Sequence, residues 1–170
     1  MNTALGEGCV STDQLAALHD LGYLPVCIRA LPEGSRVNLR VPMFTVENTV
    51  AEFFWLTNYI ETVLSDEIWK PTTVATIAHD FRRQLDHYVE LTGSDPGFAD
   101  WQNHDFSMRG MSGVYDAASS CAGHLLSNYG TDTVVAIDYL EDYYFADAMK
   151  ELIGGSVPAT EHSEIGRAHV

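Results

Sequence analysis

The sequence predicts an α/β chain: an α+β segment of short antiparallel strands and long helices, followed by repeated βα units. Three observations carry that prediction. Over 25–47 short β-rich runs alternate with turn residues, and over 48–91 apolar residues recur at the helical period. Beyond the stretch Gly93-Ser94-Asp95-Pro96-Gly97 the rhythm changes to strand, loop, helix.

Ser11-Thr12-Asp13-Gln14 is a helix-start signal, and Leu15, Ala16, Leu18 and Leu21 follow before Gly22 ends the run. A short helix is expected there. Val26-Cys27-Ile28 and the run 41–46 read as two or three antiparallel strands, separated by the turn Pro32-Glu33-Gly34-Ser35. Asn48 or Thr49 then caps a long helix through Phe53, Phe54, Leu56, Tyr59, Ile60, Val63 and Leu64, and a second helix is expected over 72–91. The stretch Phe53-Phe54-Trp55 with Tyr59 fits a buried core helix better than a face for a partner helix. The glycine-rich linker at 93–97 closes this helical pair.

After the linker, Asp105-Phe106-Ser107-Met108 reads as a short strand, 109–113 as a glycine-flanked loop and 114–129 as a helix rich in small residues. A second strand-to-loop junction falls at 128–131, a helix at 133–144 and a third strand at Ser156-Val157-Pro158-Ala159. The acidic run 138–147, interleaved with Tyr139, Tyr143, Tyr144 and Phe145, fits a solvated face opposite a packed one. Repeated βα units imply a parallel sheet with right-handed crossovers, as part of a barrel or as an open doubly wound sheet. In both, chemistry sits at the carboxyl ends of the strands.

Composition narrows the function. At 170 residues and 46% hydrophobic the chain is too apolar for a disordered acidic tail, despite a formal net charge of -15. Nine Lys plus Arg against 24 Asp plus Glu leave no basic stripe for a phosphate backbone or an anionic membrane. No apolar run approaches the roughly 20 residues of a membrane span, and the first ten residues lack a secretory pattern, so a cytoplasmic protein is expected. Cys9, Cys27 and Cys121 have no C-x-x-C spacing and read as free thiols. Neither a P-loop nor a G-x-G-x-x-G occurs.

The expected strand ends carry Phe106 with Arg109, Asp132, and Glu161 with His162. An aromatic plate, a guanidinium, a carboxylate and an imidazole suit a flat heteroaromatic substrate joined to an anionic one. The plate stacks the ring, the guanidinium forks onto phosphate oxygens, and the carboxylate accepts from an amide or amine. Each also has a plain structural reading: Phe106 as core, Arg109 as a surface ion pair, Asp132 as the N-cap of the following helix, His162 as a structural histidine. The pairs His19-Asp20, His79-Asp80 and His104-Asp105, with His87, raise a metallohydrolase as a competing class. Chance composition accounts for them, and no metal-ligating residue is assigned.

Taken together, Leu31-Pro32-Glu33-Gly34, Phe44-Thr45-Val46-Glu47-Asn48-Thr49, Trp55-Leu56-Thr57-Asn58-Tyr59-Ile60-Glu61-Thr62, Thr73-Val74-Ala75-Thr76, His104-Asp105-Phe106 with Arg109-Gly110, Gly130-Thr131-Asp132-Thr133 and Ser156-Val157-Pro158-Ala159 with Glu161-His162-Ser163 resemble the nicotinamide phosphoribosyltransferase family. The resemblance runs over about 21–163 and covers roughly the middle third of the family's chain.

It implies the fold of an incomplete type II phosphoribosyltransferase β/α barrel. Residues 1–97 would belong to the flanking α/β domain and its link to the barrel, and 98–163 to the first βα units. It also implies a reaction: nicotinamide and 5-phosphoribosyl 1-pyrophosphate give nicotinamide mononucleotide and pyrophosphate in NAD salvage, with Mg2+ and with ATP as coupling nucleotide. The full-length enzyme would be a homodimer. Phe106 matches the family's nicotinamide-stacking aromatic, Arg109 a diphosphate-binding arginine and Asp132 the residue facing the carboxamide. His162 matches the histidine that contacts diphosphate and is phosphorylated, and Ser156 and Val157 match the pocket wall. By this match His162, Arg109 and Asp132 form the catalytic set. Within the superfamily the alternative is nicotinate phosphoribosyltransferase; outside it, a non-catalytic truncated fragment. Glu164-Ile165-Gly166-Arg167-Ala168-His169-Val170 leaves the family pattern and reads as a translated sequencing adapter, a tail expected to have no function.

Overall fold

A computed structural model of the chain describes Gly6 and residues 11–158. Cys9, Ala159, Glu161, His162, Ser163 and the 164–170 tail lie outside the described residues. The architecture is mixed helix and small sheet, α/β in character, in two compact units that divide between Asp66 and Glu67.

In the first unit, helix α1 (Asp13–Leu21) stops where expected, because Gly22 takes the left-handed conformation at φ 78° and returns its N–H to the carbonyls of His19 and Leu18. Strands β1 (Val26–Ala30) and β2 (Phe44–Asn48) pair antiparallel, with Val26 opposite Asn48 and Ala30 opposite Phe44. The ladder is extended by Leu31 N–H donating to Met43 O at 2.9 Å and Thr49 N–H to Pro25 O at 2.8 Å. Two strands form, not three. Residues 41–43 belong to the connection instead, since Val41 N–H turns back to Asn38 O at 3.2 Å and Arg40 sits at φ 68°.

Asn48 does not cap a helix. It ends β2, and its side-chain amide donates to Phe54 O at 3.0 Å, tying the strand to a 3-10 turn at Ala51–Phe53. Phe53 and Leu56 are buried, Phe54 is exposed, and Trp55 meets Tyr59 edge-on at 5.6 Å. The stretch read as core is therefore core on one side only.

Helix α2 (Leu56–Thr92) is the largest correction, because the two expected helices are one, with Pro71 inside it. An interior proline removes one backbone donor and costs about 3 kcal/mol. The apolar period continues on both sides, and around the proline the Thr73 and Thr76 hydroxyls donate to the carbonyls of Trp69 and Thr72 at 2.7 and 2.8 Å. The linker at 93–97 is also partly helical. Asp95 accepts from Gly97 N–H at 2.9 Å and Pro96 occupies the first turn, so helix α3 (Pro96–Gln102) starts inside it.

In the second unit the core is made of small residues. Helix α4 (Val114–His124) is buried at every position from Ala117 to His124, and helix α5 (Val135–Tyr144) buries Ala136 against it. Lys70 Nζ holds both carboxylate oxygens of Asp116 at 2.6 Å, and Asp116 also accepts from Ser112 N–H at 2.9 Å. That clasp joins α2 to the start of α4. The tyrosine-rich side of α5 packs on itself and on α4, the Tyr139 ring centre lying 4.8 Å from that of Tyr143 and 5.9 Å from that of Tyr115 on α4.

The first two expected parallel strands shrink to single rungs, and in place of the third, expected at 156–159, a rung forms one residue earlier, at Gly155. Asp105 bridges Thr131 and Gly130 bridges Gly155, both parallel. The stretch read as a strand at 105–108 turns immediately into a 3-10 helix, Ser107–Gly110, whose tight turn takes the place of the expected loop. No helix among the described residues is long and apolar enough to cross a membrane.

Candidate functional site

The two parallel rungs lay three chain segments side by side. Asp105 N–H donates to Gly130 O at 3.0 Å and Asp132 N–H to Asp105 O at 2.9 Å; Thr131 N–H donates to Gly155 O at 2.9 Å and Gly155 N–H to Tyr129 O at 2.9 Å. Neighbouring residues in extended chain face opposite sides, so Asp105 and Thr131 share one side while the residues beside them share the other.

The first side is a buried polar floor. The Asp105 carboxylate accepts from Thr133 Oγ1 at 2.5 Å, Thr131 Oγ1 at 3.3 Å and Ser107 N–H at 3.3 Å. Thr131 and Thr133 are fully buried. Burial pushes the Asp105 carboxyl up, but the hydrogen bonds from Thr133, Ser107 and Cys121 and the nearby His124 outweigh it and leave the group below the ordinary carboxylate range. Burial pushes the Cys121 thiol up to about 12, which makes it an unreactive partner of Thr131 Oγ1, 3.1 Å away. His124 Nε2 donates to Gly130 O at 2.9 Å, and burial lowers its pKa.

The second side carries the candidate chemistry. Ser156 Oγ donates to Asp132 Oδ1 at 2.5 Å, and His104 Nε2 lies 2.9 Å from the same oxygen. The hydrogen bonds from Ser156 and His104 hold the Asp132 carboxyl below its ordinary range, and the charge of Arg109 acts in the same direction. Asp132 is thus an anion with a fixed orientation, reachable from solvent. It is not the N-cap of α5, whose cap position is Val134 with no side-chain hydrogen bond. Phe106 is 43% exposed, so it is not ordinary core, and its ring lies 4.4 Å from that of His104. Arg109 projects from the 3-10 turn that Phe106 leads into. Val157 follows Ser156 and is half-buried.

Phe106, Arg109, Asp132 and Ser156 are therefore brought together, with Val157 alongside; His162 lies outside the described residues. In the sequence His104 stands in a His-Asp pair and in the family-like string His104-Asp105-Phe106, with no role of its own. Its partner is Asp132, 28 residues away, rather than its neighbour Asp105. The sequence carries no signal for that pairing, because the parallel rungs that bring His104 to Asp132 are one residue deep. Of the other pairs, His19 and Asp20 are 3.6 Å apart and solvent-exposed; among the described residues no three His, Cys, Asp or Glu side chains gather as a ligand set.

No protein-family model matches the chain. Among curated proteins it is 63% identical over 163 residues to the nicotinamide phosphoribosyltransferase of Acinetobacter baylyi, covering 96% of this chain and 32% of that one. It is 38% identical over 145 residues to the protein of the same name in Xanthomonas campestris pv. campestris, covering 85% of this chain and 30% of the relative. With the Mycoplasma genitalium protein of that name it shares 36% over 118 residues, covering 68% and 26%. The chain spans about a third of the length of these curated relatives. It belongs to the nicotinamide phosphoribosyltransferase family, as a fragment of that enzyme.

Proposed function

We propose that the enzyme of which this chain is a part transfers the phosphoribosyl group of 5-phosphoribosyl 1-pyrophosphate to nicotinamide, giving nicotinamide mononucleotide and pyrophosphate in NAD salvage. The observation that carries this reading is the 63% identity over 163 residues to a relative of that name. The cluster of Phe106, Arg109 and Asp132 supports it with a matching chemistry.

In this reading the pyridine nitrogen attacks the anomeric carbon of ribose while the bond to pyrophosphate breaks, the leaving group taking the electron pair. Catalysis of such a step is mostly positioning and charge stabilisation. Phe106 stacks the ring, and the pyridinium product gains cation–π attraction that neutral nicotinamide lacks. Asp132 accepts from the carboxamide nitrogen and repels the carboxylate of nicotinate, favouring the amide over the acid. Arg109 and His162 hold diphosphate oxygens, and Ser156 and Val157 line the wall. The parallel rungs at 105, 130, 131 and 155 support a β/α barrel as the complete fold.

Magnesium in this reading arrives on the substrate's diphosphate. The described residues offer no set of three carboxylate, imidazole or thiol ligands that fits a resident ion. Coupling to ATP falls to His162. A cytoplasmic homodimer is the expected form of the full-length enzyme.

The test is a chimera in which the matched third of the Acinetobacter baylyi relative is replaced by this chain. Formation of nicotinamide mononucleotide from nicotinamide and 5-phosphoribosyl 1-pyrophosphate supports the reading; a folded chimera that uses nicotinate instead, or neither, overturns it.

A further inference from the structure

His104 joins the two groups that the proposed reading assigns to nicotinamide. Its ring lies 4.4 Å from Phe106, tilted by 35°, and its Nε2 lies 2.9 Å from Asp132 Oδ1. The side chain is only 8% exposed. Its position is further set by Gly130, where a Cβ would come within 2.7 Å of His104 Nδ1 and 3.3 Å of Trp101 O. The imidazole is thus clamped between a close-packed backbone and the site.

The proton inventory gives the contact a direction. Asp132 is ionised, and an ionised carboxylate only accepts. Nε2 must therefore carry the hydrogen and donate it. Nδ1 is buried without a hydrogen-bond partner in the structure. That is tolerable for a bare lone pair and costly for an N–H, so the Nε2–H tautomer is the one that fits. His104 and Ser156 both bond Asp132 at Oδ1, and neither of these two hydrogen bonds uses Oδ2, the oxygen that the proposed reading gives to the ligand amide.

We infer that His104 is a positioning residue for amide recognition: it holds the Asp132 carboxylate, by an Nε2–H hydrogen bond, in register with the Phe106 plate. This rests on the proposed activity. The imidazole need not touch nicotinamide; it fixes the distance and angle between the surface that stacks the ring and the oxygen that accepts from the carboxamide.

The test uses the chimera, assayed with nicotinamide and with nicotinate, for His104→Phe, His104→Asn and His104→Gln. Phe keeps a ring against Phe106 but has no donor; Asn carries a donor too short to reach Asp132; Gln places its amide nitrogen where Nε2 lies. The Phe and Asn variants are each expected to raise KM for nicotinamide about tenfold, with kcat within threefold and the preference for amide over acid reduced in proportion, the loss typical of one charge-assisted hydrogen bond. Gln is expected within threefold of the parent on all three. Whichever of Phe and Asn folds serves as the donor-free variant. An unchanged amide preference in it, or equal losses in it and in Gln, would overturn the inference. If neither donor-free variant folds while Gln does, loss of the fold rather than of recognition is the result, and the positioning role is likewise overturned. Activity in the parent chimera leaves the proposed function standing in each case; inactivity of the parent removes the reading on which the inference rests.

Discussion

A Cβ built on Gly123 would stand 2.5 Å from the carbonyl oxygen of Pro71 and 3.3 Å from Ala75 N. The buried end of α4 therefore meets α2 backbone against backbone, at the turn that carries the interior proline. The contact explains both residues: glycine permits the approach, and packing there helps offset the hydrogen bond that proline removes.

Gly123→Ala has no room, because what it meets is main chain and cannot swing aside. In the chimera it is expected to cost about 2 kcal/mol, by the usual magnitude for overpacking a core. Gly110→Ala, with nothing within 4 Å of its Cβ, is expected within about 0.5 kcal/mol of the parent. Urea denaturation of the two variants side by side checks the contrast.

The Asp105 floor predicts a pH signature. Its carboxyl lies below the ordinary range in the folded state, so its contribution to stability is present above the unfolded value, near pH 4, and is lost as pH falls through the lower folded value. Thr133→Val removes the 2.5 Å donor and is expected to cost about 2 kcal/mol at pH 7. The gap in melting temperature between variant and parent should narrow below about pH 4. A gap of constant size from pH 7 to pH 3 would show that Thr133 matters for packing alone.

Much of this was legible before any coordinates. α1 and the β1–β2 hairpin announce themselves by Gly22, turn residues and period, and α4 and α5 by position, although α4 ends at His124 rather than running to 129. Phe106, Arg109 and Asp132 come from strand-end reasoning, and Ser156 only from the family resemblance. Two things were not legible. Pro71 looks like a helix boundary because local propensity says so, whereas the contact with Gly123 that accompanies its continuation is 52 residues away. The pairing of His104 with Asp132 depends on parallel rungs only one residue deep, too short to leave an alternating pattern in the sequence.

Asp132→Ser in the chimera replaces an anion with a neutral hydroxyl. Repulsion of the nicotinate carboxylate disappears and the acceptor for the amide weakens, so the ratio of kcat/KM for nicotinamide over nicotinate is expected to fall at least about tenfold. Paired assays with the two substrates read it directly, and an unchanged ratio would remove the role assigned to Asp132.

By itself the 170-residue chain is expected to form no measurable nicotinamide mononucleotide. It spans 32% of the length of the Acinetobacter baylyi relative, and the remaining two thirds are expected to carry further phosphate and ribose contacts. Turnover by the isolated chain above a no-enzyme control would refute that division of labour.

The most direct measurement is the rate at which the purified chimera, shown to be folded and soluble, converts nicotinamide and 5-phosphoribosyl 1-pyrophosphate to nicotinamide mononucleotide, with nicotinate run in parallel. Turnover with nicotinamide well above that with nicotinate is the expected result. No product from a folded chimera, or a preference for nicotinate, would contradict the claim that this chain supplies the nicotinamide-binding third of the enzyme.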